Sequence, residues 1–190
     1  KVESLRSMEH FIQFEELPEI YVDAVISVED KRFWTHNGVD ILAIFRAVWK
    51  DITTFSFAEG GSTITQQLMK NEYFTQEKKL ERKFAEIFAA LELEREYSKE
   101  DIFELYVNTI YFGSGYYGIY DAAQGYFDKE PYELTEYEAV MLAGLPNAPS
   151  AYSPDNNLEL ALQRMGQVLD SMVACGAISE EDADRIFNQG

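Results

Sequence analysis

The chain has 190 residues, a formal net charge of -18 at pH 7 and a hydrophobic fraction of 46%. The apolar content excludes an intrinsically disordered protein, and the length suits one domain over residues 1–190, with room for two lobes. The acidic balance excludes nucleic acid as a partner, because no long basic stripe offsets it. Basic residues are gathered in one cluster: Lys70, Lys78, Lys79, Arg82 and Lys83.

Cysteine content and hydropathy narrow the class of protein further. The single cysteine, Cys175, excludes an internal disulfide, and its place on a predicted helix indicates a small buried thiol. No run of about 18 apolar residues occurs, so no helix is expected to span a bilayer. Because the chain starts without Met, we expect an excised segment from which a membrane anchor is absent.

The first long predicted helix begins after Pro18 and carries an acid pair at its far end. An apolar stripe runs along it from Tyr21 to Val28, and Glu29 and Asp30 follow. The helix dipole disfavours carboxylates there, and burial of such a carboxyl would raise its pKa toward a value that suits proton transfer. The pair is therefore a catalytic candidate, with an ordinary acidic helix exit before a polar loop as the alternative.

A second motif, residues 60–71, places two glycines and a Ser-Thr pair before a helix-forming run. The free N–H groups at such a helix N-terminus attract phosphate or carboxylate groups. Four polar side chains share one face of this helix: Thr63, Gln67, Lys70 and Asn71. The alternative is an N-capped surface helix with its amides in solvent. The order of residues differs from that of a nucleotide P-loop.

The third motif lies on a predicted helix of roughly 18 residues. Its apolar stripe, expected to face the core, consists of Leu80, Phe84, Ile87, Phe88 and Leu91. Arg82, Lys83 and Glu86 lie away from that stripe. They indicate either an anion-binding face or an exposed helix with weak surface salt bridges.

Later helices are marked by capping pairs and by periodicity. Three Ser or Thr residues have an acid three positions on: Ser98 with Asp101, Thr135 with Glu138, and Ser179 with Asp182. The clearest periodicity runs from Leu158 to Val173, and Gly176 is predicted to cap that helix.

Two glycine-rich segments, 55–61 and 113–118, are predicted to be loops, with a short hairpin possible between Thr53 and Ser62. Asn108 is expected to be an exposed polar group before the second loop. Residues 142–154 are interpreted as scaffold. His36 is expected to hold the loop after the acid pair, since the chain has two histidines and a zinc site is improbable.

These motifs occur together and in order. They read Glu29-Asp30-x-x-Phe33-x-x-His36-x-Gly38, then Gly61-Ser62-Thr63-Ile64-Thr65-Gln66-Gln67-x-x-Lys70-Asn71, then Arg82-Lys83-x-x-Glu86. The set resembles the family 51 peptidoglycan glycosyltransferases, the transglycosylase domain of class A penicillin-binding proteins and of monofunctional transglycosylases. The resemblance covers about residues 18–187.

The resemblance implies a mainly α, lysozyme-like domain of two lobes, the smaller one apposed to the membrane. It implies polymerisation of lipid II into glycan strands, with inversion at C1 and release of undecaprenyl pyrophosphate. Glu29 would be the general base and Glu86 the second essential carboxylate. The alternatives are a lysozyme-like glycan hydrolase and an inactive lipid-binding scaffold.

The resemblance also implies a set of contacts and a location. Substrate-binding residues would be Asp30, Phe33, His36, Ser62, Thr63, Gln67, Lys70, Asn71, Lys78, Arg82, Lys83, Asn108 and Tyr111. No cofactor would be obligatory and no dedicated metal site is expected, with Mg²⁺ or Mn²⁺ as a stimulating ion. Partners would be lipid II, the nascent glycan strand and the membrane surface, with cell-wall synthesis proteins as further candidates. The site would face outward from the bacterial cytoplasmic membrane, with residues 39–57 partly in lipid and Trp49 near the interface.

Overall fold

Helices make up most of the chain in the computed structural model, which describes residues 2–42, 44, 61–73 and 79–190. For residues 72, 73 and 79–82 only the backbone is described. The helices in chain order are α1 (Val2–Arg6), α2 (Glu19–Glu29), α3 (Ile64–Tyr73), α4 (Lys79–Glu96), α5 (Lys99–Thr109), α6 (Ile119–Phe127), α7 (Glu136–Gly144), α8 (Pro149–Tyr152), α9 (Leu158–Cys175) and α10 (Glu180–Phe187). Short 3-10 turns lie at Phe14–Glu16, Pro131–Glu133 and Leu145–Asn147. The prediction of a mainly α fold is confirmed.

The chain divides into two compact units. The first unit is Lys1–Lys31 with Val107–Gly190, and the smaller second unit is Arg32–Tyr106. The prediction of one domain over residues 1–190 stays a prediction.

The core of the first unit is built by α2, α7 and α9, each of which packs against the other two. The helix predicted after Pro18 is confirmed, with Pro18 preceding Glu19 and Asp30 following Glu29. Tyr21, Ala24 and Val25 are buried as the stripe predicts. Because further α2 residues on the other faces are buried too, this helix is enclosed by its neighbours.

The predicted helix ends are confirmed where a side chain caps the backbone. The hydroxyl oxygens of Ser98, Thr135 and Ser179 each accept the N–H of the acid three residues on. At the end of α9, Gly176 adopts a φ of +74° and the following amide donates to the Met172 carbonyl over 2.9 Å. These local hydrogen bonds satisfy helix-end groups and fix the boundaries.

The second glycine-rich segment is a hairpin, so the prediction of a plain loop there is wrong. Strand β1 (Tyr111–Gly113) pairs antiparallel with β2 (Tyr116–Tyr117). The two residues between them, Ser114 and Gly115, have φ of 51° and 91°. Positive φ at both central residues is typical of the tightest hairpin turn, and the flanking tyrosines favour strands. The other proposed hairpin, between Thr53 and Ser62, lies largely outside the described residues.

The orientation predicted for α4 is wrong. Phe84 and Phe88 are 64% and 67% exposed, whereas Glu86 on the supposed polar side is only 3% exposed. The buried face carries Glu86, Ala90 and Leu93, and α4 packs against α3. The two phenylalanines therefore face outward, while Glu86 faces inward together with Ala90 and Leu93.

Two smaller expectations are also wrong. Cys175, the last residue of α9, is exposed. Asn108 is buried, because its side-chain amide pairs with the backbone of Ile12: Nδ2 donates to the Ile12 carbonyl over 2.8 Å and Oδ1 accepts its N–H over 2.9 Å.

Candidate active site

Glu29 is the last residue of α2, and its side chain is only 10% exposed. Its charge reaches Tyr21 on the same helix, whose pKa is raised well above its ordinary value by burial and, in addition, by Glu29. The Tyr21 hydroxyl therefore stays protonated beside the carboxylate. The side chain of Asp30 is buried as well, so both acids of the pair are enclosed by the protein.

A cation accompanies Glu29 in the first unit. Nη2 of Arg164, on α9, lies 3.9 Å from Oε1 of Glu29. The guanidinium is anchored elsewhere: Nε donates to the Gly144 carbonyl over 3.2 Å and Nη1 donates to Gln167 Oε1 over 3.0 Å. The central carbon of the guanidinium, Cζ, lies 5.7 Å from the centre of the Tyr152 ring. Glu29 thus has a fixed positive charge beside it, although the sequence reasoning did not single out Arg164.

In the second unit, residues 32–40 form a bend braced by its own side chains. Arg32 makes a two-point ion pair with Asp40, with Nε donating over 2.8 Å. The N–H of Gly38 donates to Nδ1 of His36 over 3.1 Å, which places the imidazole proton on Nε2. The expectation that His36 holds this loop agrees with that hydrogen bond.

The same bend is held against α3 and α4. Thr63 Oγ1 donates to the Gly38 carbonyl over 2.7 Å. Gly38 has a φ of +86°, and a Cβ there would lie 2.8 Å from the Ala90 carbonyl oxygen. A side chain is therefore excluded both by the backbone conformation and by the close approach of α4.

The start of α3 is a capping box, as the sequence motif of loop and helix N-terminus suggests. Thr63 Oγ1 accepts the Gln66 N–H over 3.1 Å, and Gln66 Oε1 accepts the Thr63 N–H over 3.2 Å. Two backbone donors of the first turn are thereby satisfied within the protein. Anion binding by the remaining groups stays a prediction.

Ser62, Lys83 and Glu86 form a chain of contacts beside that capping box. Lys83 Nζ donates to Ser62 Oγ over 2.7 Å and lies 3.3 Å from Glu86 Oε2. The Lys83 side chain is half-exposed and the Glu86 side chain is buried. The ammonium is therefore fixed between the loop before α3 and an acid of α4, while part of the Lys83 side chain faces solvent.

A second polar cluster in this unit is formed around Glu94. Glu94 Oε1 accepts from Thr65 Oγ1 over 2.6 Å and from Lys99 Nζ over 2.7 Å. Lys99 Nζ lies 4.5 Å above the Phe33 ring and 3.5 Å from His36 Nδ1. Sequence reasoning missed Glu94 and Lys99, although both stand at helix ends where the dipole disfavours their charges.

The structure separates the predicted substrate contacts into groups. Ser62 and Lys83 come together, and Lys70 and Asn71 are exposed on α3. Gln67 accepts a hydrogen bond from Tyr106 over 3.4 Å, and the Tyr111 hydroxyl accepts one from the Gly115 N–H over 3.3 Å.

Other predicted contacts are placed differently or cannot be described. The Phe33 ring has no exposed surface. The Asn108 amide is engaged with Ile12. Lys78 and the side chain of Arg82 lie outside the described residues. Glu29 belongs to the first unit and Glu86 to the second.

Among residues with described side chains, no group of three or more His, Cys, Asp or Glu could hold a metal ion. None of the helices that the structure describes has the length and apolarity needed to cross a bilayer.

Known proteins resemble this chain over the region that contains these motifs. The model of the transglycosylase family matches residues 2–173. Penicillin-binding protein 1A of Aquifex aeolicus is 44% identical over 179 residues, which are 94% of this chain and 25% of that protein. Penicillin-binding protein 1F of Bacillus subtilis is 44% identical over 172 residues, 90% of this chain and 24% of that protein. The chain therefore spans about a quarter of the length of these relatives.

A solved structure gives the same fold. The crystal structure of penicillin-binding protein 1A from Haemophilus influenzae covers 95% of this chain with a TM-score of 0.58 and 24% identity, and the match takes up 17% of that protein. The predicted fold, the helical lysozyme-like transglycosylase fold, is thereby confirmed. Because the family model extends over nearly the whole chain and includes all the quoted motifs, the chain belongs to the transglycosylase family.

Proposed function

We propose that this chain polymerises lipid II into glycan strands, with inversion at C1 and release of undecaprenyl pyrophosphate. The observation that carries the proposal is the placement of Lys83, which contacts Ser62 and Glu86 while part of its side chain faces solvent. A fixed ammonium beside a helix N-terminus suits a pyrophosphate leaving group. The membership of the transglycosylase family supplies the reaction class.

Glu29 is the proposed general base. Its carboxylate takes the proton of the acceptor's 4-hydroxyl, and that oxygen attacks C1 of the growing strand. The bond from C1 to the pyrophosphate oxygen breaks, and its electron pair leaves with the lipid pyrophosphate. Positioned proton transfer of this kind is worth about 10²- to 10⁴-fold in rate. Enclosure of Glu29 at the end of α2 supports this role, since it limits competition from water.

Lys83 is the proposed stabiliser of charge on the leaving group, together with Lys70, Lys78 and Arg82 of the basic cluster. Negative charge develops on the pyrophosphate as the bond breaks, and a cation already in place lowers that barrier without reorganising. Glu86 holds Lys83 and is the proposed second essential carboxylate. A pyrophosphate leaves without a strong general acid, unlike the sugar oxygen of a glycosidase substrate.

The substrates are lipid II and the nascent strand at the outer face of the bacterial cytoplasmic membrane, where other cell-wall synthesis proteins are candidate partners. Mg²⁺ or Mn²⁺ is proposed to stimulate only, so addition of EDTA should lower the rate without abolishing polymer formation.

The decisive experiment incubates the chain with labelled lipid II and resolves the products by length. Polymer from the wild-type chain, and none from Glu29→Gln, is the expected result. Glu19→Gln is the matched control, because Glu19 lies at the other end of the same helix. Moenomycin should compete with the donor substrate if the basic cluster binds it.

Other outcomes point to the alternatives. Shortening of preformed glycan strands without polymer would indicate a lysozyme-like hydrolase. Lipid II binding with neither reaction would indicate an inactive scaffold. Either result from the wild-type chain would overturn the proposal.

A further inference from the structure

The ion pair of Glu94 and Lys99 is placed where stability alone does not account for it. Glu94 stands in the last turn of α4 and Lys99 in the first turn of α5, the two helix ends at which the dipole disfavours these charges. Their side chains are only 5% and 15% exposed. Desolvation of such a pair offsets much of its attraction, so apolar replacements are often neutral or stabilising.

The pair instead joins three parts of the second unit. Oε1 of Glu94 accepts from both Lys99 and Thr65, a residue of the first turn of α3. On its other side, Lys99 Nζ lies over the Phe33 ring at 4.5 Å, within cation–π range. It also lies 3.5 Å from His36 Nδ1, the atom that accepts the Gly38 N–H.

The loop that the pair holds is tied in turn to the start of α3. Gly38, at the end of residues 33–38, accepts from Thr63 Oγ1, and Thr63 is the capping residue of α3. Its neighbour Ser62 accepts the hydrogen bond of Lys83. A continuous set of short contacts therefore runs from Lys99 to the proposed pyrophosphate-binding ammonium, all within the second unit.

We propose that Lys99 is a positioning residue for glycosyl transfer: with Glu94 it fixes residues 33–38 and the first turn of α3, and thereby Ser62 and Lys83. The inference rests on the proposed function. Lys99 acts through these groups and touches no reacting atom. Its loss should lower the rate of the bound complex more than it weakens substrate binding.

The test compares Glu94→Gln/Lys99→Met, which removes both charges together, with Lys99→Arg, which keeps a cation. Lys129→Met is the matched control, because Lys129 forms an ion pair of the same 2.7 Å length with Glu138 in the first unit. Thermal unfolding, kcat and KM on labelled lipid II, and amide hydrogen exchange of residues 33–38 are measured for each.

The double variant is expected to fold, since no buried charge is left without its partner. Its kcat should fall by about 10- to 100-fold while KM changes by less than about threefold. Amide hydrogen exchange of residues 33–38 should accelerate in the double variant. Lys99→Arg, in contrast, should keep most of the wild-type kcat. Lys129→Met should leave kcat and this exchange unchanged.

A double variant that keeps kcat within about twofold of wild type, or keeps the exchange protection of residues 33–38, would overturn the inference. If the double variant does not fold, Thr65→Val tests the same chain of contacts by removing only the hydroxyl that Glu94 accepts. Its kcat should fall with KM unchanged, and an unchanged kcat would overturn the inference. Failure of the wild-type chain to polymerise would instead defeat the proposed function, while the exchange measurement still tests the positioning.

Discussion

The guanidinium of Arg164 lies 3.9 Å from the carboxylate of Glu29 and acts on it against the dipole of α2. The C-terminal end of a helix disfavours a carboxylate, whereas a nearby cation favours its ionised form. Since Arg164 is anchored by Gly144 and Gln167, its charge stays beside Glu29. The pairing places a fixed positive charge beside the proposed base.

Arg164→Gln is therefore expected to shift the pH dependence of the reaction. A cation near a carboxylate favours its ionised form, so without Arg164 the rise of kcat/KM with pH should move to higher pH. Polymerisation of lipid II, measured across the range from about pH 5 to pH 8, reports that shift. Arg185→Gln is the control, because it removes a surface guanidinium paired with Glu136 in the same unit. An identical profile in wild type and Arg164→Gln would contradict the assigned role.

Gly38→Ala should destabilise the fold more than Gly115→Ala. Both glycines have positive φ, +86° and +91°, so both substitutions carry backbone strain of about 1–2 kcal/mol. At Gly115 a Cβ meets open space, whereas at Gly38 it meets the Ala90 carbonyl oxygen at 2.8 Å. The total loss at Gly38 should reach about 3 kcal/mol. Urea denaturation measures the unfolding free energy of the two variants. Equal losses would show that the backbone of α4 shifts away from the added Cβ at little cost.

Glu138→Gln should lower the free energy of unfolding at neutral pH, and this loss should disappear in acid. Burial acts to raise the pKa of Glu138, but the hydrogen bonds from Lys129 and Thr135 outweigh it and hold that pKa below its ordinary value. A carboxyl group of this kind stabilises the fold above its unfolded-state pKa and loses that contribution as pH falls through the folded-state pKa. The variant keeps an oxygen for the Thr135 cap but loses the charge.

The expected loss is roughly 0.5–1 kcal/mol of unfolding free energy at pH 7. It should shrink steadily between about pH 5 and pH 2.5. Urea titrations at several pH values test this, with Glu133→Gln, in the 3-10 turn just before α7, as the control. A loss that is constant with pH would mean that the charge contributes nothing.

Phe84→Ser/Phe88→Ser should weaken binding to lipid vesicles. Both side chains are exposed on α4, and Ile41 and Leu42 of the same unit are exposed as well. If the smaller lobe is apposed to the membrane, these groups enter the lipid interface, and their loss should lower co-sedimentation by about threefold or more. Polar substitution of Phe45 and Trp49, which lie outside the described residues, is expected to act in the same direction.

The control for the vesicle experiment is Tyr132→Ser/Phe187→Ser, which removes two exposed aromatic residues from the first unit. Equal loss in both double variants would indicate general hydrophobic adsorption. Unchanged binding in Phe84→Ser/Phe88→Ser would defeat the membrane prediction for this helix.

Local chemistry predicted much of the fold. Helix starts at Ser98, Thr135 and Ser179 follow from capping pairs three residues apart, which act within one turn and need no tertiary partner. The Gly176 cap follows for the same reason. The beginning of α2 could be predicted because Pro18 precedes it.

The face of α4 could not be read from periodicity. A stripe of large apolar residues does not by itself fix the buried side of a helix, and here Glu94 is held by Thr65, 29 positions earlier in the chain. Arg164 was missed for a similar reason, since Glu29 and Arg164 meet only after α2 and α9 pack. The motifs named Ser62, Lys83 and Glu86 as separate candidates, while the contact of Ser62 with Lys83 and the residues around them required tertiary structure.

The link between Ile12 and Asn108 has a consequence for the order of folding. The side chain of Asn108 takes both backbone hydrogen-bonding groups of a residue 96 positions earlier, as a neighbouring strand would. A growing chain must therefore extend past α5 before the segment around Ile12 finds its partner. Contacts across such a long stretch of chain form late, because the intervening loop must close first. The N-terminal segment is expected to be among the last parts to gain protection during refolding.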